Sequence, residues 1–337
     1  MVEDVAELLA CPVCGAGFAG ADGFESVDGS ADSSAGSSAV PATSLGCLAG
    51  HSFDLNRKGF VDLVAPVGRK APVGDTAAMV EARANFLNAG HYEPIALALI
   101  ETLNAEWGEA VDNGAGGAEV ASAGRAFAGR ALTGRALADI GCGPGFYSRR
   151  MLEDVPTLSR VVALDVSVAA VAAASRAHGG IGAVRCNVKT GVPILDGAID
   201  AVVVVFAPRN PEEWHRILAP GGLLLVVIPT DRHLIELRER GAILEVEPAK
   251  RERLLREVGE LFVEVSSRTV QWSLAATPEV INSVVSMGPS AFHDAFGATE
   301  ADDASEPPGV TRVDGPATTG APASLTASVQ LNLFRVR

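Results

Sequence analysis

Basic residues are scarce: 27 Lys and Arg stand against 41 Asp and Glu, a formal net charge of −14. That balance excludes gripping a nucleic acid through bulk positive charge, so such a partner would need local basic sites. The shortage is uneven. Glu3, Asp4, Glu7, Asp22, Glu25, Asp28 and Asp32 all precede Arg57, before which no Lys or Arg occurs. Long apolar runs are missing too. The longest, Ala201 to Phe206 and Leu223 to Ile228, have the length of buried strands and fall far short of the roughly 18 residues of a membrane span, so no membrane partner is expected. The opening Met1-Val2-Glu3-Asp4 is acidic and lacks a signal-type apolar stretch, which predicts a cytoplasmic chain. Cysteines number only five, and Cys11, Cys14, Cys47, Cys142 and Cys186 are unevenly spaced. This excludes a disulfide framework and fits a metal site plus two isolated thiols.

What is present is apolar: 48% of 337 residues, enough for one large core and a small appended module. Strand-like runs at Ala136–Ile140, Arg160–Asp165, Gly182–Cys186, Ala201–Phe206 and Leu223–Ile228 alternate with helix-like segments at Phe146–Asp154, Val168–His178, Pro211–Leu218 and His233–Leu244. Near-continuous apolar strands separated by helices predict a Rossmann-like, doubly wound, mostly parallel α/β sheet over 136–337. A last alternating strand is expected at Ser328–Val336. Three stretches, 16–44, 111–135 and 298–324, are rich in Gly, Ala, Ser or Pro and read as loose inserts.

Cys11-Pro12-Val13-Cys14 is a CxxC knuckle, and Cys47 with His51 supplies a second pair with three residues between its members. Four soft or borderline ligands in two close pairs suit a closed, tetrahedral structural zinc in a small N-terminal domain over 1–70. The long 16–44 connection is no obstacle, since tripling a flexible loop costs only about 1 kcal/mol of closure entropy. Structural zinc supplies on the order of 10 kcal/mol.

The run Leu137-Ala138-Asp139-Ile140-Gly141-Cys142-Gly143-Pro144-Gly145 ends a buried strand and opens a helix. Its glycines are spaced G-x-G-x-G behind a strand acid, unlike the G-x-G-x-x-G dinucleotide fingerprint, which favours S-adenosylmethionine over NAD. Asp139, Gly141, Cys142, Gly143 and Gly145 are therefore cofactor-loop candidates. Asp165, closing the next strand about 20 residues on, is placed to accept the ribose hydroxyls. Asn187 after the third strand either meets an adenine edge or merely ends the strand. Cys142 and Cys186 read as packing thiols, with no activating base nearby in sequence.

With these motifs in hand, the chain resembles the 23S ribosomal RNA (guanine-N1)-methyltransferases, zinc-carrying and S-adenosylmethionine-dependent enzymes that include macrolide-resistance members. The resemblance covers Cys11–Cys14, Cys47 with His51-Ser52-Phe53-Asp54, Gly59–Leu63, Gly74–Met79, Ala82–Pro94, Asp139–Gly145, Leu164–Ser167, Phe206-Ala207-Pro208, Pro220-Gly221-Gly222, Arg232–Leu237 and Met287-Gly288-Pro289. It implies a class I methyltransferase sheet behind a zinc lobe that helps recognise an RNA hairpin. It also implies a helical connector over 71–110 that completes the cofactor site, and it alone raises a homodimer. By the same likeness Tyr92 and His233 are cofactor contacts; taken alone, His91 and His233 would read as ordinary satisfied or surface histidines. The three inserts depart from the family pattern and bear on the RNA-contacting surface.

Guanine N1 carries a proton at neutral pH, so its methylation needs a base or an electrostatic site that favours the ionised ring. Asp231, His233, Glu236 and His91 are the candidate bases. Phe206, Ala207, Pro208 and Arg209 are expected to meet the target base, which must be exposed or flipped to reach the pocket. Arg57, Lys58, Arg69, Lys70, Arg209 and Arg232 are nominated for phosphates. The competing reading is a small-molecule methyltransferase that keeps its zinc lobe only for folding.

Overall fold

Strands too apolar to face water on either side must be covered on both faces, and the fold follows from that demand. The computed structural model describes residues 1–18, 43–64, 74–112, 125–127, 130–132, 134–243, 249–287 and 323–337. Arg69, Lys70, Gly288, Pro289 and most of the three inserts lie outside the described residues.

A 3-10 helix over Val2–Leu8 is followed by short strands β1 (Ser44–Gly46), β2 (Ser52–Asp54) and β3 (Phe60–Asp62), then helices α1 (Ala77–Asn88) and α2 (Glu93–Asp112). Strands β4 (Arg125–Phe127) and β5 (Arg130–Leu132) form an antiparallel pair. The 111–135 stretch, read as a loose loop, thus contains a hairpin that its Gly and Ala content conceals. The alternating region comprises β6 (Arg135–Ile140), α3 (Phe146–Asp154), β7 (Leu158–Asp165), α4 (Val168–Ala177), β8 (Ile181–Arg185), β9 (Ile199–Val205), α5 (Pro211–Ile217) and β10 (Leu218–Pro229). Helices α6 (Ile235–Arg238) and α7 (Lys250–Val258), strand β11 (Phe262–Ala275), helix α8 (Pro278–Met287) and strand β12 (Ser324–Val336) complete the chain.

Among the described residues the main sheet has eight strands in the order β11-β12-β10-β9-β6-β7-β8-β3. Strands β3, β8, β7, β6, β9 and β10 run parallel, and β12 lies antiparallel between β10 and β11. The order reverses at β6, whose neighbours β7 and β9 depart to opposite sides. In open α/β sheets the crevice outside the carboxyl ends at such a reversal is the ligand site.

Two differences from the sequence reading matter. Of the expected helix over His233–Leu244, the described residues hold the single turn α6: Leu234 at a left-handed φ of 52° caps its start, and Gly241 at 68° lies past its end; Leu244 is outside the described residues. The N-terminal segment also does not pack apart from the sheet. β3 pairs with β8, and Val2, Val5, Ala6, Leu8 and Leu9 share one buried cluster with Val162, Val184 and Ile194. Gly182 in β8 makes this docking possible: a Cβ there would lie 2.1 Å from a Val5 methyl.

Candidate active site and metal centre

The CxxC turn and the β1–β2 hairpin bring Cys11, Cys14, Cys47 and His51 together, with their ligand atoms all within 4.8 Å of one another. Cys14 Sγ lies 3.8 Å from Cys47 Sγ, while His51 Nδ1 lies 3.7 Å from Cys11 Sγ and 3.4 Å from Cys47 Sγ. A tetrahedral zinc with Zn–S near 2.3 Å and Zn–N near 2.0 Å sets neighbouring ligand atoms roughly 3.5–3.8 Å apart. The four residues therefore fit a structural zinc, with no coordination position left for chemistry. The His51 backbone N–H donates to Cys47 Sγ at 3.3 Å. Although burial raises the Cys47 thiol, hydrogen bonds from the His51 and Ala49 backbone, with those of the His51 and Cys11 side chains, outweigh it and bring it down to about 6, favouring the thiolate a metal requires.

The cofactor-side cavity, of about 840 Å³, opens at the carboxyl ends of β6, β7, β8, β9 and β10. Gly141, Cys142 and Gly143 line it, as do Tyr92, Asp165, Asn187, Phe206, Ala207, Pro208, Arg209 and His233. Gly141 and Gly143 adopt φ of 71° and 53°, which turns the chain sharply off β6. Asp165 accepts the Gly143 N–H at 3.0 Å on one oxygen and the Ser167 N–H at 2.9 Å on the other. Each oxygen keeps a lone pair for a hydroxyl. Burial raises the Asp165 carboxyl above its ordinary range, and these two backbone bonds oppose it. A cavity this size, with a glycine turn and a ribose-ready carboxylate, fits S-adenosylmethionine. Asn187 Oδ1 accepts the Lys189 N–H at 3.2 Å, which leaves its amide hydrogens available.

Two loop candidates do not line the cavity. Gly145 starts α3 with φ 81° and packs so tightly that a Cβ would meet Ala174 Cα at 2.8 Å. Asp139 is 1% exposed behind the loop and accepts the Ser148 hydroxyl at 2.6 Å. Both shape the turn from behind, Gly145 by packing against α4 and Asp139 by accepting from Ser148 of α3. Burial, opposed by Ser148 and reinforced by Asp165, raises Asp139 to about 6 from an ordinary 3.8. The native chain thus holds this proton more tightly than the unfolded chain, so stability falls as pH rises from about 4 through about 6 and stays lower above. Asp139→Asn is expected to abolish that pH component and stabilise the apoprotein at neutral pH by on the order of 2 kcal/mol. Thermal unfolding of both proteins across this window checks it; parallel pH curves would refute it.

On the β9 and β10 side, three rings gather. Tyr92 contacts Phe206 at 6.1 Å and His233 at 5.9 Å between centroids, and Phe206 lies 5.8 Å from His233. The Tyr92 hydroxyl is 3.1 Å from His233 Nε2. Phe206 is 43% exposed and has φ of 55°, a conformation costing an aromatic residue on the order of 1–3 kcal/mol.

Of the four candidate bases only His233 lines the cavity. Glu236 is spent on β12, accepting the Thr326 hydroxyl at 2.6 Å and the Thr326 N–H at 3.0 Å. His91 packs against Phe86, and Asp231 is exposed outside the cavity. His233 Nδ1 already accepts the Ser328 N–H at 3.1 Å, and burial lowers its pKa to about 4. Arg209 does line the cavity, but its guanidinium is held by Glu257 of α7 at 2.8 Å. Sequence reasoning missed Asp75 and Arg83, an ion pair at the cavity wall, although both fall in motifs it quoted. It also missed Tyr147 and the α8 end, where the Met287 carbonyl accepts from Arg83. Arg83 and Met287 meet across 204 positions, which leaves no local signal, and a neighbouring acid and base such as Asp75 and Arg83 mark no site until the fold places them at the cavity.

The geometry is that of a class I methyltransferase, and the methyltransferase-domain family matches residues 137–222. A Micromonospora griseorubida protein named "Putative 23S rRNA (guanine-N(1)-)-methyltransferase" is 38% identical over 293 residues, covering 87% of this chain and 90% of that protein. The Streptomyces fradiae 23S rRNA (guanine(748)-N(1))-methyltransferase is 33% identical, covering 87% of this chain and 89% of its own. The chain belongs to the 23S rRNA (guanine-N1)-methyltransferase family. It is an S-adenosylmethionine-dependent rRNA methyltransferase. No described helix of the methyltransferase is long and apolar enough to cross a membrane.

Proposed function

We propose that this methyltransferase modifies N1 of a guanine displayed by a hairpin of 23S rRNA, acting in the cytoplasm where ribosomes assemble, with a homodimer as its working form. The observation that carries the reading is the exposed, strained Phe206 ring at the mouth of the cofactor cavity, flanked by Tyr92 and His233. An unstacked base laid on Phe206 would sit between this aromatic group and the cofactor, with Ala207 and Pro208 as the adjoining wall.

When bound, S-adenosylmethionine supplies an electrophilic methyl group. Asp165 would hold its ribose and Asn187 its adenine edge, while Gly141, Cys142 and Gly143 form the floor. The chain's contribution is mainly positioning, which can supply a large part of the barrier reduction in such displacements. The cavity-lining carboxylates among the described residues are Asp75, paired with Arg83, and Asp165, engaged by two backbone N–H groups. With His233 also lacking a basic nitrogen, the N1 proton passes to water, and the site must favour the ionised guanine by other means. Arg57 and Lys58, exposed in the β2–β3 turn, and exposed Arg232 remain as phosphate contacts; Arg209 would first have to leave Glu257.

Incubation with methyl-labelled S-adenosylmethionine and protein-free 23S rRNA, then nuclease digestion and nucleoside mass spectrometry, tests the reading. N1-methylguanosine is the expected product. Cofactor binding with no methylated nucleoside from free RNA or from precursor particles would favour a small-molecule acceptor.

A further inference from the structure

The hydrogens of the Tyr92–His233 pair follow from their partners. Ser328 N–H donates to His233 Nδ1, so Nδ1 presents its lone pair and the neutral ring carries its proton on Nε2. Nε2–H therefore donates to the Tyr92 oxygen, and the hydrogen of the Tyr92 hydroxyl itself is left unspent. Tyr92 lines the cavity while only 4% exposed, and no second partner for its hydroxyl occurs among the described residues. A donor left unsatisfied in such a place is a desolvation cost that a ligand acceptor would recover. The donor stands beside Phe206, whose ring is the surface for the target base.

We infer that the Tyr92 hydroxyl donates a hydrogen bond to O6 of the target guanine, and that His233 is the positioning residue that turns it there. The inference rests on the guanine reading of the site. N1 and O6 belong to one conjugated amide, so when N1 gives its proton to water the negative charge settles largely on O6. A fixed donor at O6 favours that ionised ring and leaves the N1 lone pair free to receive the methyl group, which is the electrostatic help a site without a base requires. It also discriminates, because adenine carries an amino donor at the corresponding position and offers no acceptor. The fixed polarity of the pair is what makes this work. Burial raises the Tyr92 pKa, so the hydroxyl stays a donor. The charged and titratable groups around the pair are Tyr147 of α3, His91 and Glu93 next to Tyr92 in the chain, and Arg238 and Lys250 facing His233. Glu93 is tied to Arg150 at 2.5 Å.

The test is a single-turnover pH–rate profile on 23S rRNA together with calorimetric binding of S-adenosylhomocysteine. Tyr92→Phe keeps the ring and its contacts. It is expected to move the rising limb to higher pH and lower the neutral rate by about tenfold, with S-adenosylhomocysteine affinity within about twofold of wild type. His233→Leu, which frees the hydroxyl to turn, should shift the limb likewise and reads the same effect if the first variant misfolds. His233→Gln, with an amide N–H in place of Nε2–H, should hold it near wild type. A limb that does not move overturns the inference, and weaker S-adenosylhomocysteine binding with an unmoved limb assigns the pair to the cofactor instead. Absence of N1-methylguanosine from the wild-type reaction would instead remove the guanine reading itself.

Discussion

Asp165→Ala is expected to abolish methyl transfer by weakening the hold on the cofactor, with binding of S-adenosylhomocysteine reduced on the order of 100-fold or more. The magnitude follows from the site. Both Asp165 oxygens carry one backbone donor each, from Gly143 and Ser167, and the residue lines the cavity with acceptor capacity left on each oxygen. Hydrogen bonds from hydroxyls to a buried carboxylate are charge-assisted and contribute roughly 1.5–3 kcal/mol apiece, so losing two is worth two or more powers of ten in affinity. The substitution also releases the Gly143 N–H, loosening the turn at the point where the backbone must approach the cofactor. Asp165→Asn, which retains one acceptor oxygen, is expected to fall between the two. Calorimetry decides it: an alanine variant that binds within about threefold of wild type would remove Asp165 from the ribose site.

Zinc removal is the second large effect. The metal should be present at one ion per chain by native mass spectrometry, and either chelation or Cys14→Ser should release it. Apparent binding energies on the order of 10 kcal/mol mean that the knuckle geometry cannot survive its loss. The damage has a boundary that the packing sets. Residues 11–17 and 46–54 are held mainly by the four ligands and the short β1–β2 pairing, whereas Leu9 and Ala10 are anchored to Ile194 and Pro193. The 3-10 helix over Val2–Leu8 and strand β3 are held by the sheet itself, through Val5 against Gly182 and through the β3–β8 register. Hydrogen exchange should therefore accelerate in the first group and remain slow in the second. Uniform protection after chelation would show that the ligand cluster holds no metal that matters to the fold. Uniform loss would mean that the N-terminal segment depends on the metal throughout.

Much of the fold is legible in the chain because its strands are buried on both faces. The runs Val161–Leu164, Ala201–Val205 and Leu223–Ile228 have the length and apolar character of buried strands, and all three lie in the parallel part of the sheet. β11 escaped notice for the opposite reason: along this edge strand Val263 through Ser273 stay exposed or half-buried, so no apolar pattern announces it. Strand β3 was read with the metal ligands that precede it, yet it completes the far edge of the main sheet, a pairing between residues more than a hundred positions apart. The candidate site divides similarly. The metal quartet and the glycine turn carry their chemistry in residue type and spacing. The Asp75–Arg83 pair and the cavity face of α8 do not, because salt bridges and helix ends are common and only their location gives them meaning.

The amino-acid sequence by itself determined which chemistry is available: thiolates and an imidazole spaced for zinc, glycines for a close backbone approach, and an acid one strand further on for a ribose. Only the tertiary structure decided which of the remaining groups are free to act. Arg209 is held by Glu257, Glu236 is bound to Thr326, and the His233 lone pair is taken by Ser328 while Tyr92 keeps a hydrogen to give. Charges, lone pairs and hydroxyl hydrogens are satisfied by whatever the fold brings within about 3 Å, and those partners come from segments that no local pattern links.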